Sequence, residues 1–249
     1  MALDMKKMRQ KLNHAEGKST SKWWKPQDGE QVIRILPTSD GDPFKQFWLH
    51  YNLVGQTGGV LCPKRNFGDD NPVLNFATKL YKEGTPESIK MAKDLFPKQR
   101  FFSPVIVRGE EDQGVRIWGY SKTVYKELLK LVFNPDYGDI TDTETGTDLV
   151  LTYGKAQGMM FPQTSLTPKR KDSPLCTDGD EQCKELLEQI PDFSTLHERK
   201  TTAEMKSILE RHIAGDAGPD QTEKYGATSS DSKEQSPLDK AFSEILGDG

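Results

Sequence analysis

Residues 29–37 have the sequence Gly-Glu-Gln-Val-Ile-Arg-Ile-Leu-Pro, and residues 100–120 have the sequence Arg-Phe-Phe-Ser-Pro-Val-Ile-Val-Arg-Gly-Glu-Glu-Asp-Gln-Gly-Val-Arg-Ile-Trp-Gly-Tyr. In the first stretch, β-branched residues bounded by glycine and proline predict a strand. The second stretch predicts a hairpin, with strands at 100–108 and 114–120 around the charged loop 109–113. Together they predict a small sheet of short strands that are not consecutive in the sequence.

The elements on either side are irregular in length and order. Further strands are predicted at residues 47–53 and 149–153, and the spacing of apolar residues predicts helices within 72–96, 121–133, 181–190 and 202–213. Thr85 and Pro86 match the N-cap and the first position of a helix. This order excludes a regular alternating α/β sheet. It favours a β-rich α+β protein, a small elaborated β-barrel with an inserted subdomain around residues 50–97.

Charge is segregated along the chain, although the 249 residues carry a formal net charge of only −4. Residues 1–25 contain seven lysine and arginine residues against two acidic ones, whereas residues 215–249 contain three against eight. A basic N-terminal arm (1–20), a folded core (21–214) and a disordered acidic tail (215–249) are therefore predicted. The two ends either bind different partners, bind each other, or are solvated segments without a partner.

The composition excludes several functional classes. No apolar run approaches the ~20 residues that span a bilayer, and the first residues lack the apolar segment of a secretory signal. Three cysteines cannot form a closed set of disulfides, which favours a reducing compartment. The phosphate-loop, GxSxG and HExxH motifs are absent and the four histidines are scattered, so we expect no enzymatic activity.

Aromatic and cationic residues alternate in the core of the sequence. In residues 115–120, Arg116, Trp118 and Tyr120 share one face of the predicted strand, and the aliphatic residues share the other. Single-stranded nucleic acid is bound by bases that stack on aromatic rings and by cations that follow the phosphates. A face with two rings and an arginine therefore favours a stacking platform, although alternate aromatic residues in strands also form hydrophobic cores.

Four features of the sequence occur in an order typical of one family. They are the strand at 29–37, His50 followed by Cys62 and Asn71-Pro72-Val73-Leu74, the basic and aromatic hairpin within 98–120, and an acidic amphipathic end. The chain resembles the single-stranded DNA-binding (helix-destabilising) proteins of T-even-type phages. The resemblance implies an OB-fold core that binds single-stranded DNA without marked sequence preference. It also implies a cooperative coat that protects unpaired DNA and removes hairpins during replication, recombination and repair, in the cytoplasm of an infected bacterium.

The residue pattern and the resemblance together assign roles to three sets of residues. The expected DNA contacts are Arg34, Lys98, Arg100, Phe101, Phe102, Arg116, Trp118, Tyr120, Lys122 and Phe161. The arm is expected to mediate self-association along the DNA through Lys6, Lys7, Arg9, Lys18, Ser19 and Thr20. The tail is expected to bind replication, recombination and repair proteins, and to compete with DNA, through Asp239, Phe242, Glu244, Ile245, Leu246 and Asp248.

The zinc ligands of that family are one histidine and three cysteines, and this chain keeps only two of the four. His50 and Cys62 remain, whereas Asn71 and Leu74 stand at the other two positions. Leucine has no donor atom and a neutral amide is a poor zinc ligand, while a structural site needs four ligands. We therefore expect no bound zinc and no other cofactor. Supply of the missing ligands by Cys176 and Cys183 is the alternative.

Two other functions fit the same sequence features. An OB-fold RNA-binding or translational-control module would use the same stacking rings. An adaptor that joins replication proteins through its arm and tail would instead bury Phe101, Phe102 and Trp118 in its core.

Overall fold

A computed structural model describes residues 22–176 and 179–215, which fold as a mixed α+β protein with a large β-sheet. The expected arm residues Lys6, Lys7, Arg9, Lys18, Ser19 and Thr20 lie outside the described residues. The expected tail residues Asp239, Phe242, Glu244, Ile245, Leu246 and Asp248 also lie outside them. Within the two described ranges, no helix is both long and apolar enough to cross a membrane.

The described residues form a sheet of eight strands. They are β1 (Trp23–Trp24), β2 (Gly29–Ile35), β3 (Lys45–His50), β4 (Val60–Leu61), β5 (Lys98–Val107), β6 (Arg116–Tyr120), β7 (Leu149–Gly154) and β8 (Gln163–Pro168). Six of them lie side by side in the order β1-β6-β5-β2-β7-β8, and β3 pairs with β4. Neighbours along this path are antiparallel except β1 and β6, which are parallel. At the centre, Ile33 of β2 pairs with Val107 of β5 and Leu149 of β7.

Six α-helices accompany these strands in the described part of the chain. They are α1 (Pro63–Phe67), α2 (Pro72–Glu83), α3 (Pro86–Leu95), α4 (Lys122–Val132), α5 (Asp180–Glu188) and α6 (Thr202–Ala214). The side chains of Asn71, Thr85 and Thr201 cap α2, α3 and α6 by accepting backbone N–H groups of the first turn. The predicted cap at Thr85 is confirmed.

The described chain divides into two compact units. The first contains residues 22–46 and 100–193, and the second contains residues 47–99 and 194–215. The second unit has a hydrophobic core of its own, with buried side chains from α2, α3 and α6 that include Val73, Phe76, Leu80, Leu95, Met205, Ile208 and Leu209. The sequence predicts a subdomain around residues 50–97. The structure adds α6, which follows about 100 residues later in the chain and contributes side chains to the core of this unit.

The core of the first unit lies between the sheet and α4. It contains Ile33 of β2 and Leu149 of β7 together with the aromatic side chains Phe101, Trp118 and Tyr120. The sequence predicts the alternation of faces along β6 correctly, but the aromatic face is the interior. The expectation of an open aromatic face is therefore wrong, and Trp118 is only 1% exposed.

The outer face of β5 and β6, opposite this core, is partly covered by a later part of the chain. Ile106 of β5 packs with Leu36 and Leu175, and apolar residues of α5 pack against that cluster. Cys176 and Cys183 form a disulfide between the segment before α5 and the helix itself. The three cysteines thus form one disulfide and leave Cys62 outside it. The sulfurs of Cys176 and Cys183 are used in the disulfide, which contradicts the alternative that they bind zinc.

Candidate nucleic-acid interface

Three of the expected stacking rings are core residues of the first unit. Phe101 lies nearly parallel to Tyr125 with ring centroids 3.9 Å apart, and Trp118 lies 4.4 Å from Tyr120. The Tyr120 hydroxyl shares a hydrogen bond of 2.7 Å with Ser103, and burial raises the pKa of Tyr120 well above its ordinary value. A base stacks only on a ring that it can reach from solvent. The expected contact role of Phe101, Trp118 and Tyr120 is therefore corrected to a structural one.

Arg34 is also buried, although the sequence predicts it as a cation in the binding cleft. Its guanidinium donates to the carbonyl of Ser173 and lies 3.4 Å from the Asp148 carboxylate. Arg108 donates to the same carboxylate at 3.0 to 3.1 Å and to the next two carbonyls after Ser173 at 2.9 Å. Burial lowers the pKa of Arg34, and the nearby Asp148 opposes that shift. Arg34 and Arg108 therefore hold residues 173–175 in place together, and Arg34 does not face solvent.

One end of the outer face of β5 and β6 carries a partly exposed aromatic pair. Phe102 lies opposite Gly119 in the register of the two strands. A Cβ atom at position 119 would lie 2.9 Å from Cε1 of Phe102, so the ring rests directly on the glycine. The ring of Trp23 meets Phe102 edge-on at a centroid distance of 5.5 Å, and Trp23 is 37% exposed. We call this pair the Trp23–Phe102 patch; its solvent-facing part is Trp23, because Phe102 is itself buried.

The turn between β7 and β8 exposes three consecutive large apolar side chains. Met159 is exposed, and Met160 and Phe161 are 79% and 71% exposed. The Met159 N–H donates to the carbonyl of Ala156 at 3.0 Å, which closes the turn. Single exposed apolar residues are ordinary, but three in succession form a patch typical of a contact surface. This segment (residues 155–162, the β7–β8 tip) contains the expected contact Phe161.

The expected phosphate contacts divide into exposed and paired groups. Lys98 at the start of β5 and Lys122 at the start of α4 are exposed, and Arg100 is half-buried. The guanidinium of Arg116 lies 2.7 Å from the Glu110 carboxylate, which neutralises its charge within the protein. Several further cations are exposed in the first unit: Lys22, Lys25, Lys155, Lys169, Arg170 and Lys171.

The positions of the expected zinc ligands form a hydrogen-bond network in the second unit. The Asn71 amide donates to Nε2 of His50 at 2.9 Å and to Sγ of Cys62 at 3.2 Å, while its oxygen caps α2. Nδ1 of His50 lies 2.7 Å from the Leu95 carbonyl, so Nδ1 carries the proton and Nε2 accepts. Burial lowers the pKa of His50, which keeps the imidazole neutral.

These residues do not fit a zinc ion. The lone pair of His50 and the sulfur of Cys62 already accept from the Asn71 amide, and Leu74 offers no donor atom. Among the described residues, no group of three or more histidine, cysteine, aspartate or glutamate side chains is placed to hold a metal. The expectation of a zinc-free protein stays a prediction, with an amide network as its structural reason.

Two parts of the exposed surface are absent from the set of expected contacts. Met159 and Met160 lie with Phe161 between Gly158 and Pro162, and an apolar run inside such a turn is a recognisable signal. Trp23 lies between Lys22 and Lys25, which is the same combination of ring and cation that occurs elsewhere in the sequence.

No protein-family model matches the chain, and no curated protein matches its sequence.

Proposed function

We propose that this chain is a single-stranded DNA-binding protein built on an OB-fold. In the first unit, β2, β5 and β6 lie side by side, α4 follows β6, and the β7–β8 hairpin lies on the other side of β2. A five-stranded OB-fold has this spatial order, 3-2-1-4-5, with a helix between its third and fourth strands. β2, β5, β6, β7 and β8 then correspond to OB-fold strands one to five, which supports the assignment.

The exposed aromatic residues support nucleic-acid binding by their positions in this scheme. OB-folds bind oligonucleotides on the face of strands two and three and with the loops after strands one and four. The Trp23–Phe102 patch lies at strands two and three, and the β7–β8 tip is the loop after strand four. The observation that carries the proposal is this coincidence of exposed rings with two positions that OB-folds use.

The mechanism is stacking combined with charge, without catalysis. A base stacked on an aromatic ring contributes about 1–3 kcal/mol, and lysines such as Lys98 and Lys122 add affinity that falls with salt. Because the protein binds unpaired strands in preference to duplex, it shifts the equilibrium towards opening and melts hairpins without ATP.

The proposal extends to the role of the chain in the cell. Cooperative coating protects unpaired DNA during replication, recombination and repair in the cytoplasm of an infected bacterium. The arm (1–20) associates copies of the chain along the strand, and the tail (215–249) binds other proteins of these processes. The opposite charges of the two ends support this division of roles.

The test is the anisotropy of a fluorescent oligo(dT) titrated with the full chain at about 50 mM and about 200 mM salt. We expect binding that is tighter than to a duplex of equal length and that falls linearly in log affinity against log salt. Equal affinity for the duplex, or no binding at low salt, refutes the proposal. A matched oligo(U) separates DNA from RNA binding, because a preference for RNA requires contacts to the 2′-hydroxyl.

A protein-interaction adaptor is the second candidate, and the burial of Phe101, Phe102 and Trp118 favours it. An adaptor needs no open ring on its sheet, and the β7–β8 tip would then contact a protein. The variant Phe161→Ala separates the two functions, because it weakens binding of oligo(dT) only if the tip contacts bases.

A further inference from the structure

The outer face of β5 has a partly exposed ring at one end and is covered by a later segment at the other. Phe102 and Ile106 are four residues apart on one strand and therefore lie on the same face. The Phe102 end carries the partly exposed Trp23. The Ile106 end is buried in a cluster with Leu36 and Leu175. If the end with Trp23 binds a nucleic-acid strand, the covered end is the continuation of the same face.

The cover is α5 with the residues that flank it. Leu186, Leu187 and Ile190 pack against the cluster around Ile106. Gln189, just after α5, lies against Gly114, where a Cβ atom would be 2.7 Å from the Gln189 Oε1. Since Gly114 lies two residues before β6, the cover extends from the end of β5 to the start of β6.

This cover is negatively charged. Helix α5, Asp180–Glu188, contains four carboxylates and one lysine, which gives a net charge of −3. Four residues of a strand span about 13 Å, so the charge of α5 repels phosphates near the Phe102 end mainly at low salt, where the Debye length exceeds the roughly 10 Å that it has at 0.1 M. The helix therefore opposes strand binding both by covering apolar surface and by its charge.

The disulfide joins this helix to a firmly held segment. Cys176 directly follows the residues whose carbonyls accept from Arg34 and Arg108. Cys183 lies in the first turn of α5, and the two Cα atoms are 5.7 Å apart. We propose that Cys176 and Cys183 are a redox-controlled latch that holds acidic α5 over half of the nucleic-acid-binding face; this regulation rests on the proposed function.

The switching reaction is thiol–disulfide exchange with a thiol reductant. The S–S bond breaks, each protein sulfur takes up one electron and one proton, and two thiols of the reductant are oxidised to a disulfide. Both cysteines are half-buried and so remain within reach of a small thiol. After reduction, α5 is retained only by its packing contacts, opens more often, and exposes the Ile106 half of the face. Affinity for single strands therefore rises on reduction.

The test compares the oxidised and the dithiothreitol-reduced full chain, with the disulfide content of each verified by mass after maleimide labelling. We expect the reduced chain to bind fluorescent oligo(dT) about threefold to fivefold more tightly at low salt, and the difference to shrink at high salt. The double variant Cys176→Ser/Cys183→Ser should bind oligo(dT) as tightly as the reduced chain, and its affinity should not change when the reductant is added. Cys62→Ser, which leaves the pair intact, is the matched control and should keep the response.

A charge variant tests the direction of the effect separately. In the oxidised chain, the triple change Glu181→Gln, Glu185→Gln and Glu188→Gln should tighten binding as reduction does.

Equal affinity of the oxidised and reduced chains for oligo(dT), or failure of the disulfide to form in oxidising buffer, overturns the latch. If neither state binds oligo(dT), the proposed function fails. Amide hydrogen exchange then tests separately whether the disulfide holds α5 in place. Faster exchange of residues 180–188 after reduction supports it, and unchanged exchange overturns it.

Discussion

Changing Asn71 to aspartate tests the buried network of the second unit, because the change replaces two hydrogen-bond donors by acceptors with almost no change of shape. In the native chain the amide donates to Nε2 of His50 at 2.9 Å and to Sγ of Cys62 at 3.2 Å. Its oxygen accepts from the backbone of Val73 at 3.1 Å, a contact that aspartate keeps. Asn71→Asp therefore preserves the cap of α2 and removes only the network.

The expected loss of stability follows from the groups left without a partner. A buried acceptor deprived of its donor costs about 1–3 kcal/mol, and here the Nε2 lone pair would also face a carboxylate. We expect Asn71→Asp to lower the free energy of unfolding by about 2–4 kcal/mol at about pH 8, where histidine is neutral. Asn71→Ala, which also loses the cap, should cost about 2–4 kcal/mol at every pH.

The pH dependence distinguishes the two variants. Burial lowers the pKa of His50 in the native chain from its ordinary value of 6.5. Below pH 6.5 the unfolded chain therefore binds the proton more readily than the folded chain does, and the native fold loses stability as the pH falls. In Asn71→Asp, the pair formed by His50 and the new carboxylate can take up one proton, which restores a hydrogen bond between the two side chains. The pKa of this pair in the folded variant is therefore raised above that of an unfolded histidine. The variant therefore gains stability as the pH falls, and its deficit shrinks by up to about 1.4 kcal/mol per pH unit.

Urea denaturation followed by circular dichroism at about pH 8 and about pH 6, on either side of the ordinary histidine pKa, measures both effects. A deficit of Asn71→Asp that is equal at the two pH values, or a deficit below about 1 kcal/mol at the higher one, contradicts the network.

Three further predictions concern the first unit and the metal. Phe161→Ala should weaken oligo(dT) binding by about 1–3 kcal/mol without changing stability. Phe133 has a similarly exposed ring, and Phe133→Ala should leave the affinity unchanged. Equal effects of both variants exclude a specific contact at the tip. Trp118→Ala should lower the free energy of unfolding by about 3–5 kcal/mol in a denaturation experiment, and a fully stable variant would mean that the ring is not in the core. Elemental analysis of the purified protein should find no stoichiometric zinc, and a chelator should leave the melting temperature unchanged. One tightly bound zinc per chain would show that His50 and Cys62 bind the metal and not the Asn71 amide.

Local sequence signals predict the individual elements well. The strand predicted at 29–37 corresponds to β2, the hairpin at 100–120 to β5 and β6, and the helix at 121–133 to α4. These signals are local because glycine, proline and capping residues act on the backbone within a few positions. The same reason explains why Thr85 could be identified as a cap without any tertiary information.

The choice of the inner face of β5 and β6 could not be predicted, because both faces bury apolar side chains. Alternation separates Trp118 from Ile117 but does not reveal which face meets the core. The aliphatic face is covered by residues that follow much later in the chain, Leu175 and those of α5, and the aromatic face closes against α4. The prediction of Arg34 as a cation in the binding cleft is wrong because its partners Asp148 and Ser173 are distant in sequence.

Intrinsic tryptophan fluorescence during titration with oligo(dT) tests most directly whether the partly open aromatic surface binds single strands. Of the four tryptophans, Trp23 is the most accessible, whereas Trp24 and Trp118 are buried and Trp48 is half-buried. Stacking of a base on Trp23 should quench the native protein, and Trp23→Phe should bind with similar affinity but lose most of the quenching. Fluorescence that does not respond to oligo(dT), or quenching that persists unchanged in Trp23→Phe, would contradict binding at this surface.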